Sequence, residues 1–259
     1  MDFDVTAHVA CSPGDFIPRP MPLRTVEPPA QGDIHLWWLR LSDLAGTLKT
    51  AFDGRGGEGN ETQFTPGQLK FARRFYLRLL LGAYLGIAGK DVHVTRNRRG
   101  KPVLDSSIHD AALHFSMAKS GDRLLLGIST SHYLGVDLEP ASRKAPNALG
   151  VASRYFSKTE YGELQKLSGS HLEAAFLRTW ACKEAVVKAS GLGIANQLCR
   201  FSVVTDLALP PAVLEFDGQP DPGWWLASLH PEQGYLGAVA LAGDAGSINA
   251  FRLVPVGAK

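Results

Sequence analysis

The segment from Trp180 to Lys188 constrains the chain most, because its charges fall where a packed helix should be apolar. On a helix, residues four apart share one face, so Trp180, Glu184 and Lys188 form a continuous row. Lys183 flanks that row, close to Phe176 and Val187. A carboxylate and two ammonium groups therefore share an arc with residues that ought to pack. Gly191 supplies a left-handed stop just beyond, and the run Ser190–Gly193 follows. One reading is an exposed helix on which a Glu–Lys pair at i, i+4 contributes ~0.2–0.5 kcal/mol. The other is a helix facing a polar site.

The second reading gains weight from Leu134–Pro140. Arg123–Ser129 is a short apolar run after the turn-like Ser120-Gly-Asp122 and predicts a strand. After a polar break at Ser129–His132, Tyr133–Leu138 predicts the next strand, closed by Pro140. Alternation on a strand points Asp137 and Glu139 one way and Val136 and Leu138 the other. Two carboxylates on one face repel unless a cation or basic group lies between them. A hard ion such as Mg2+ suits that pair, since it takes one or two carboxylates plus substrate phosphates. By itself, Asp-x-Glu is also compatible with a solvated edge; with a Glu and two Lys on a facing helix, a site is favoured.

At 259 residues the chain can bury roughly 70–75% of its unfolded surface, as one large or two small domains. A net charge of +2 gives no argument for nucleic acid or a membrane surface. No apolar run approaches ~20 residues, so no transmembrane helix is expected. Met1–Asp4 lacks the basic start and apolar core of a signal peptide. Three cysteines without paired spacing argue against a disulfide framework or a zinc site. A reduced, cytoplasmic setting is the expectation.

Pro13, Pro18, Pro20, Pro22, Pro28 and Pro29 make residues 1–31 an extended arm in expectation, not a helix or a central strand. Ile34–Leu41 is the first secure strand. Asp53–Gly59 is glycine-rich but lacks a phosphate-loop ending, so it reads as a connection. Thr65 caps and Pro66 opens a helix running to about Leu85. Its basic residues, Lys70, Arg73, Arg74 and Arg78, are either solvated surface or ligand contacts. Asn97–Leu104 is a turn into a strand, where Gly100 admits a close ligand and Lys101 can offer a point charge to phosphate. Leu113–Ser120 reads as strand into loop. Residues 151–167 hold two helices broken at Phe156–Glu160, with Ser157 as cap, and a helix spans about Leu172–Ser190. Five strands follow: Phe201–Val204, Val213–Phe216, Trp224–Leu229, Leu236–Leu241 and Ile248–Val254. His114–Ile128 and Trp224–Leu241 echo each other, which hints at a duplicated α/β unit.

Gly100-Lys-Pro102, Phe115–Ser120 followed by Gly121, Gly135-Val-Asp-Leu-Glu139, Phe156–Tyr161 and Trp180-x-x-Lys-Glu-x-x-x-Lys188 occur in the order seen in 4′-phosphopantetheinyl transferases. The sequence resembles the monomeric, surfactin-synthetase type over roughly residues 65–205. That resemblance implies an α+β fold of two similar α/β halves packed as a pseudo-dimer. The halves would be residues 32–133 and 134–259, the latter carrying the metal and catalytic residues. It implies a holo-acyl-carrier-protein synthase type activity: transfer of the phosphopantetheine arm of coenzyme A to a serine of an acyl or peptidyl carrier protein. Such an enzyme would be Mg2+-dependent, release 3′,5′-ADP and serve fatty acid, polyketide or nonribosomal peptide synthesis.

The roles carried over are specific. Asp137, Glu139 and Glu184 would hold Mg2+ against the pyrophosphate. Glu184 would be the base for the carrier serine, directly or through a water, and Lys188 would reach the α-phosphate. Lys183 would add charge near the phosphates, and Trp180 would pack against the pantetheine. Lys101 and Pro102 would sit by the nucleotide, with Arg78 and Arg73 candidates from the early helix. Where the family has Asn-x-Ser-His-Ser, this chain has Ser116-Met-Ala-Lys-Ser120, so Lys119, beside Ser120, would replace the His that meets the 3′-phosphate of coenzyme A. The alternative is a non-catalytic relative that binds coenzyme A or the carrier. A plain α/β protein with ordinary surface charges would leave the strand-face carboxylate pair unexplained.

Overall fold

The computed structural model describes residues 9–46, 48, 64–131, 133–191, 197–221 and 223–257. Met1–Asp4, Asp53–Gly59, His132 and Gly193, all used above, lie outside the described residues. Strand β1 (Val9–Cys11) and β2 (Ile17–Pro20) come from the proline-rich arm, and β3 (Ile34–Arg40) follows. Helix α1 (Pro66–Leu85) precedes a two-stranded ribbon, β4 (Val94–Arg96) and β5 (Pro102–Leu104). Then come β6 (His114–Ser120), β7 (Arg123–Ser129) and β8 (Leu134–Pro140). Helices α2 (Ala148–Tyr155), α3 (Lys158–Leu164) and α4 (Gly169–Ser190) lead to β9 (Phe201–Val203), β10 (Val213–Phe216) and β11 (Gln219–Pro220). The chain closes with β12 (Trp224–Leu229), β13 (Tyr235–Ala242) and β14 (Ile248–Val254).

Alternation along β3 explains the layering. Trp37 and Leu39 join a core with Tyr76, Leu80 and Leu81 of α1, while Ile34, Leu36 and Trp38 join a second core with Val136 and Leu138 of β8 and Val239 of β13. A five-stranded sheet, β2-β14-β3-β7-β6, thus packs α1 on one face and the four-stranded sheet β1-β12-β13-β8 on the other. The outer face of the second sheet is covered by α4 through Ala181, Ala185, Val186, Ala238 and Ala240. The layers run helix, sheet, sheet, helix.

Each sheet holds three strands in the order first, third, second along the chain: β3-β7-β6 and β8-β13-β12. The terminal strands cross over: β14 pairs parallel with β2 and β3, and β1 pairs parallel with β12. Proline leaves gaps in a ladder, which suits β2 to its position at the sheet edge.

Local signals account for the helix ends. Thr65 accepts from Gln68 N–H at 3.2 Å, and the Gln68 side chain accepts from Thr65 N–H at 2.8 Å. Gly86 ends α1 and Gly191 ends α4, both left-handed, with φ of 67° and 64°. One expectation is corrected. Ser116–Ser120 is strand to its end, not loop, with Met117, Ala118 and Lys119 registered against Leu126, Leu125 and Leu124. Ala118 is buried between the sheets, and Lys119 is exposed. Among the described residues no helix is long and apolar enough to cross a membrane.

Candidate functional site

The site lies where α4 crosses β8. Gly135, Asp137 and Glu139 share the face of β8 that meets α4, and a Cβ on Gly135 would stand 1.9 Å from the Ala185 carbonyl oxygen and 2.5 Å from Ala189 N. Only a residue without a side chain lets the helix backbone rest there. On the next strand, Ala240 and Ala238 are registered beside Gly135 and Asp137, so the seat stays shallow. This close approach brings Glu184 and Lys188 to the strand-face carboxylates. Lys188 Nζ donates to Asp137 Oδ1 at 2.6 Å. In the row Trp180–Glu184–Lys188, Glu184 is buried and Trp180 and Lys188 are half-buried, so it is not an exposed ion-pair face.

The carboxylates carry more negative charge than their two cations offset. Asp137 Oδ2 is buried with no hydrogen-bond partner. Burial first, then the neighbouring Asp137, push the Glu184 carboxyl up to about 7; Lys188 opposes this, Glu139 adds to it, and Arg143 opposes it. Glu139 is also raised, by burial first, against its hydrogen bond from Arg143. That guanidinium also lies 5.5 Å from the centre of the Trp180 ring. Among the described residues no three carboxylate, imidazole or thiol groups converge closely enough to hold a metal ion in this arrangement. Asp137 is turned to Lys188 and Glu139 to Arg143. The donors are nonetheless hard oxygens, and the orphaned Asp137 oxygen beside a raised Glu184 is what a divalent cation would relieve.

The Asn97–Lys101 turn abuts this edge. Asn97 Oδ1 accepts from Arg99 N–H and Lys101 N–H, both at 3.0 Å, and Gly100 takes a φ of 85°. Lys101 Nζ donates to the carbonyls of Leu134 at 2.8 Å and Lys188 at 2.7 Å, so it staples the turn to β8 and the end of α4. Burial, then the Lys188 charge, lower its pKa to about 8. A cleft of about 270 Å³ opens between Gly100, Lys101, Pro102, Ser116, Met117 and Lys188. Beyond Pro102 and Met117 a second, of about 460 Å³, is rimmed by Lys70, Arg74, Arg78 and Arg96. Ser116 is itself committed, accepting from Val136 N–H at 3.1 Å.

Several expected contacts are placed otherwise. Arg78 lines the cationic cleft while donating to Val92 O at 2.8 Å and Lys90 O at 3.2 Å. Arg73 lines neither cleft, because its guanidinium is given to the Gly121 carbonyl. Lys119 is on the Met117 face of β6, outside the residues lining either cleft, and Ser120 lies at the strand end.

Lys183 is the clear correction. It is fully buried, its ammonium 2.7 Å from both Glu160 oxygens and 2.6 Å from Phe201 O, so its protons are committed to these partners. Burial lowers its pKa first, and Glu160 opposes that. Glu160 belongs to Phe156–Tyr161: its carboxylate also accepts from Ser157 N–H and Val203 N–H, both at 2.8 Å. The motif is thus a structural clamp for α4. Trp180 packs with Phe156 and Phe176 under Arg143. Sequence reasoning quoted Gly135 and Glu160 in motifs without giving them a role, and missed Arg143. The Ser157-x-x-Glu160 box and the i, i+4 spacing of Glu139 and Arg143 were available as signals.

Residues 133–240, from β8 through most of β13, match the model of the 4′-phosphopantetheinyl transferase superfamily. The chain is 31% identical over 236 residues to the 4′-phosphopantetheinyl transferase HetI of a Nostoc species, covering 88% of this chain and 94% of that protein. It is 31% identical over 153 residues to the 4′-phosphopantetheinyl transferase Sfp of Bacillus subtilis, covering 54% and 65%. Over 207 residues it is 26% identical to the human L-aminoadipate-semialdehyde dehydrogenase-phosphopantetheinyl transferase, covering 70% and 66%.

Proposed function

The chain belongs to the 4′-phosphopantetheinyl transferase superfamily, and from that premise we propose that it moves the phosphopantetheine arm of coenzyme A onto a serine of an acyl or peptidyl carrier protein. The observation that carries this is the seating of α4 on Gly135, which sets Glu184 and Lys188 against the Asp137–Glu139 pair.

The serine oxygen forms a bond to the phosphorus on the pantetheine side of the pyrophosphate, and the bond to the bridging oxygen breaks, releasing 3′,5′-ADP. The serine proton goes to Glu184, directly or through a water. A carboxylate that also holds Mg2+ is a weak base, so relay through a water carries equal weight. Lys188 turns from Asp137 to the α-phosphate and offsets charge on the departing nucleotide. Asp137, Glu139 and Glu184 would hold Mg2+, which supplies charge neutralisation at the pyrophosphate. The Gly100–Pro102 turn orients the nucleotide, and the cations about Pro102 and Met117 suit its phosphates. Lys119 reads the 3′-phosphate in this reading from the exposed end of β6.

The matching strand order of the two sheets supports two similar halves, 32–133 and 134–259, packed as a pseudo-dimer in a monomer, with residues 1–31 as the arm. A cytoplasmic site of action and carriers of polyketide or nonribosomal peptide synthesis fit this reading. Incubation with coenzyme A, Mg2+ and several apo carriers, read by intact mass, tests it. The expected result is one phosphopantetheine per carrier, abolished by removing Mg2+. Coenzyme A binding with no mass gain on any carrier would favour the non-catalytic alternative.

A further inference from the structure

The proline-rich arm crosses the end of the five-stranded sheet as a strap. Met21 N–H donates to Val254 O at 3.1 Å, and Val26 N–H to Ala83 O at 3.0 Å, which pins the strap at both ends. Beneath it lies a cleft of about 480 Å³, within the usual size of a small-molecule site. Its lining includes the aromatic rings of Trp37, Phe251 and His35, together with Pro20 and Pro22 of the strap. None of these residues belongs to the transferase site.

The polar groups there are arranged, not scattered. Trp37 Nε1–H donates to the Tyr84 hydroxyl at 2.8 Å, and that oxygen is 2.8 Å from His35 Nδ1. Burial pushes the Tyr84 phenol well above its usual range, so it keeps its proton, and burial lowers the His35 pKa. The arrangement that satisfies the phenol proton has His35 Nδ1 accept it, leaving Nε2–H as the ring's donor. His35 and Phe251 meet edge to face, centroids 5.3 Å apart at 85°. Arg19 lays its guanidinium over the Phe251 ring, 4.9 Å from its centre. Arg19 makes no ion pair among the described residues. Arg24 and Glu27 complete the rim.

A guanidinium spread on an aromatic ring is already ordered, and it matches a carboxylate through two parallel hydrogen bonds. Flat apolar walls below it suit a ring. We propose that this cleft binds a small carboxylate with an aromatic or cyclic apolar body. Arg19 pairs the carboxylate, and Trp37, Phe251 and the strap prolines enclose the ring.

The test uses the full chain, 15N-labelled, titrated with 2-naphthoate while the Trp37 indole N–H resonance is followed. The expected result is a saturable shift of that resonance, weakened at least tenfold in Arg19→Ala and only partly in Arg19→Lys. Arg19 is exposed, so the remaining resonances report that the variant is folded. 2-Naphthylmethylamine and inorganic phosphate serve as controls and should leave the resonance in place. No saturable shift with millimolar 2-naphthoate would overturn the proposal. So would equal binding of the amine or phosphate, or full binding by Arg19→Ala. The outcome does not depend on transfer to a carrier, so it fails or succeeds separately from the transferase reading.

Discussion

Replacing Glu184 by Gln should stabilise the metal-free protein while removing its activity. The structure raises the Glu184 carboxyl from 4.5 to about 7, chiefly by burial and by Asp137. A raised carboxyl pKa means the folded state holds its proton to higher pH than the unfolded chain does. Stability is therefore unaffected below the unfolded value, falls as pH climbs from 4.5 towards 7, and stays reduced above. At 1.36 kcal/mol per pKa unit, the ionised carboxylate costs the fold about 3 kcal/mol at pH 8. Gln cannot ionise, so the variant escapes that cost. In a chain of this size about 3 kcal/mol corresponds to roughly 6–12 °C in Tm. Thermal melts of both proteins in EDTA, at pH 4 and pH 8, provide the assay. The Tm values should converge at pH 4 and separate at pH 8, with Glu184→Gln higher, while its transfer rate is lower by orders of magnitude. A variant equal to or less stable than wild type at pH 8 would refute the charge-crowding argument. Retained transfer would remove Glu184 from catalysis.

Gly135→Ala should destabilise by at least ~3 kcal/mol, read in chemical denaturation, because the new Cβ meets helix backbone that no rotamer change can clear. Lys183→Met leaves Glu160 buried and unpaired and should cost about 3–5 kcal/mol of stability. Measured well below its Tm, its KM for coenzyme A should match wild type, and a raised KM would restore Lys183 to the ligand site. Lys119→Ala should lose the preference for coenzyme A over its 3′-dephospho form, compared by kcat/KM; an unchanged ratio would mean Lys119 does not read that phosphate.

Local signals made much of this legible. Thr65 and Pro66 marked the start of α1, and alternation put Asp137 and Glu139 on one face. What escaped was set by distant partners. Lys183 looks like a phosphate ligand until its stem is found to run to Glu160, on another helix. Nothing near Lys101 in sequence announces that its ammonium will be spent on the carbonyls of Leu134 and Lys188. Leu113–Ser120 read as strand into loop, yet pairing with the leucines of β7 holds it as strand to its end. Gly135 is a glycine like many others until a helix is known to rest on it.

The crossing of the terminal strands bears on how the molecule can be divided. β14 sits between β2 and β3 in the five-stranded sheet, and β1 lies on the edge of the four-stranded one. A cut at residue 133 would leave one fragment with an open hydrogen-bonding edge on β3 and the other with a homeless strand. Co-expressed fragments should therefore reassemble by trading strands, whereas either alone presents an unpaired ladder and should aggregate.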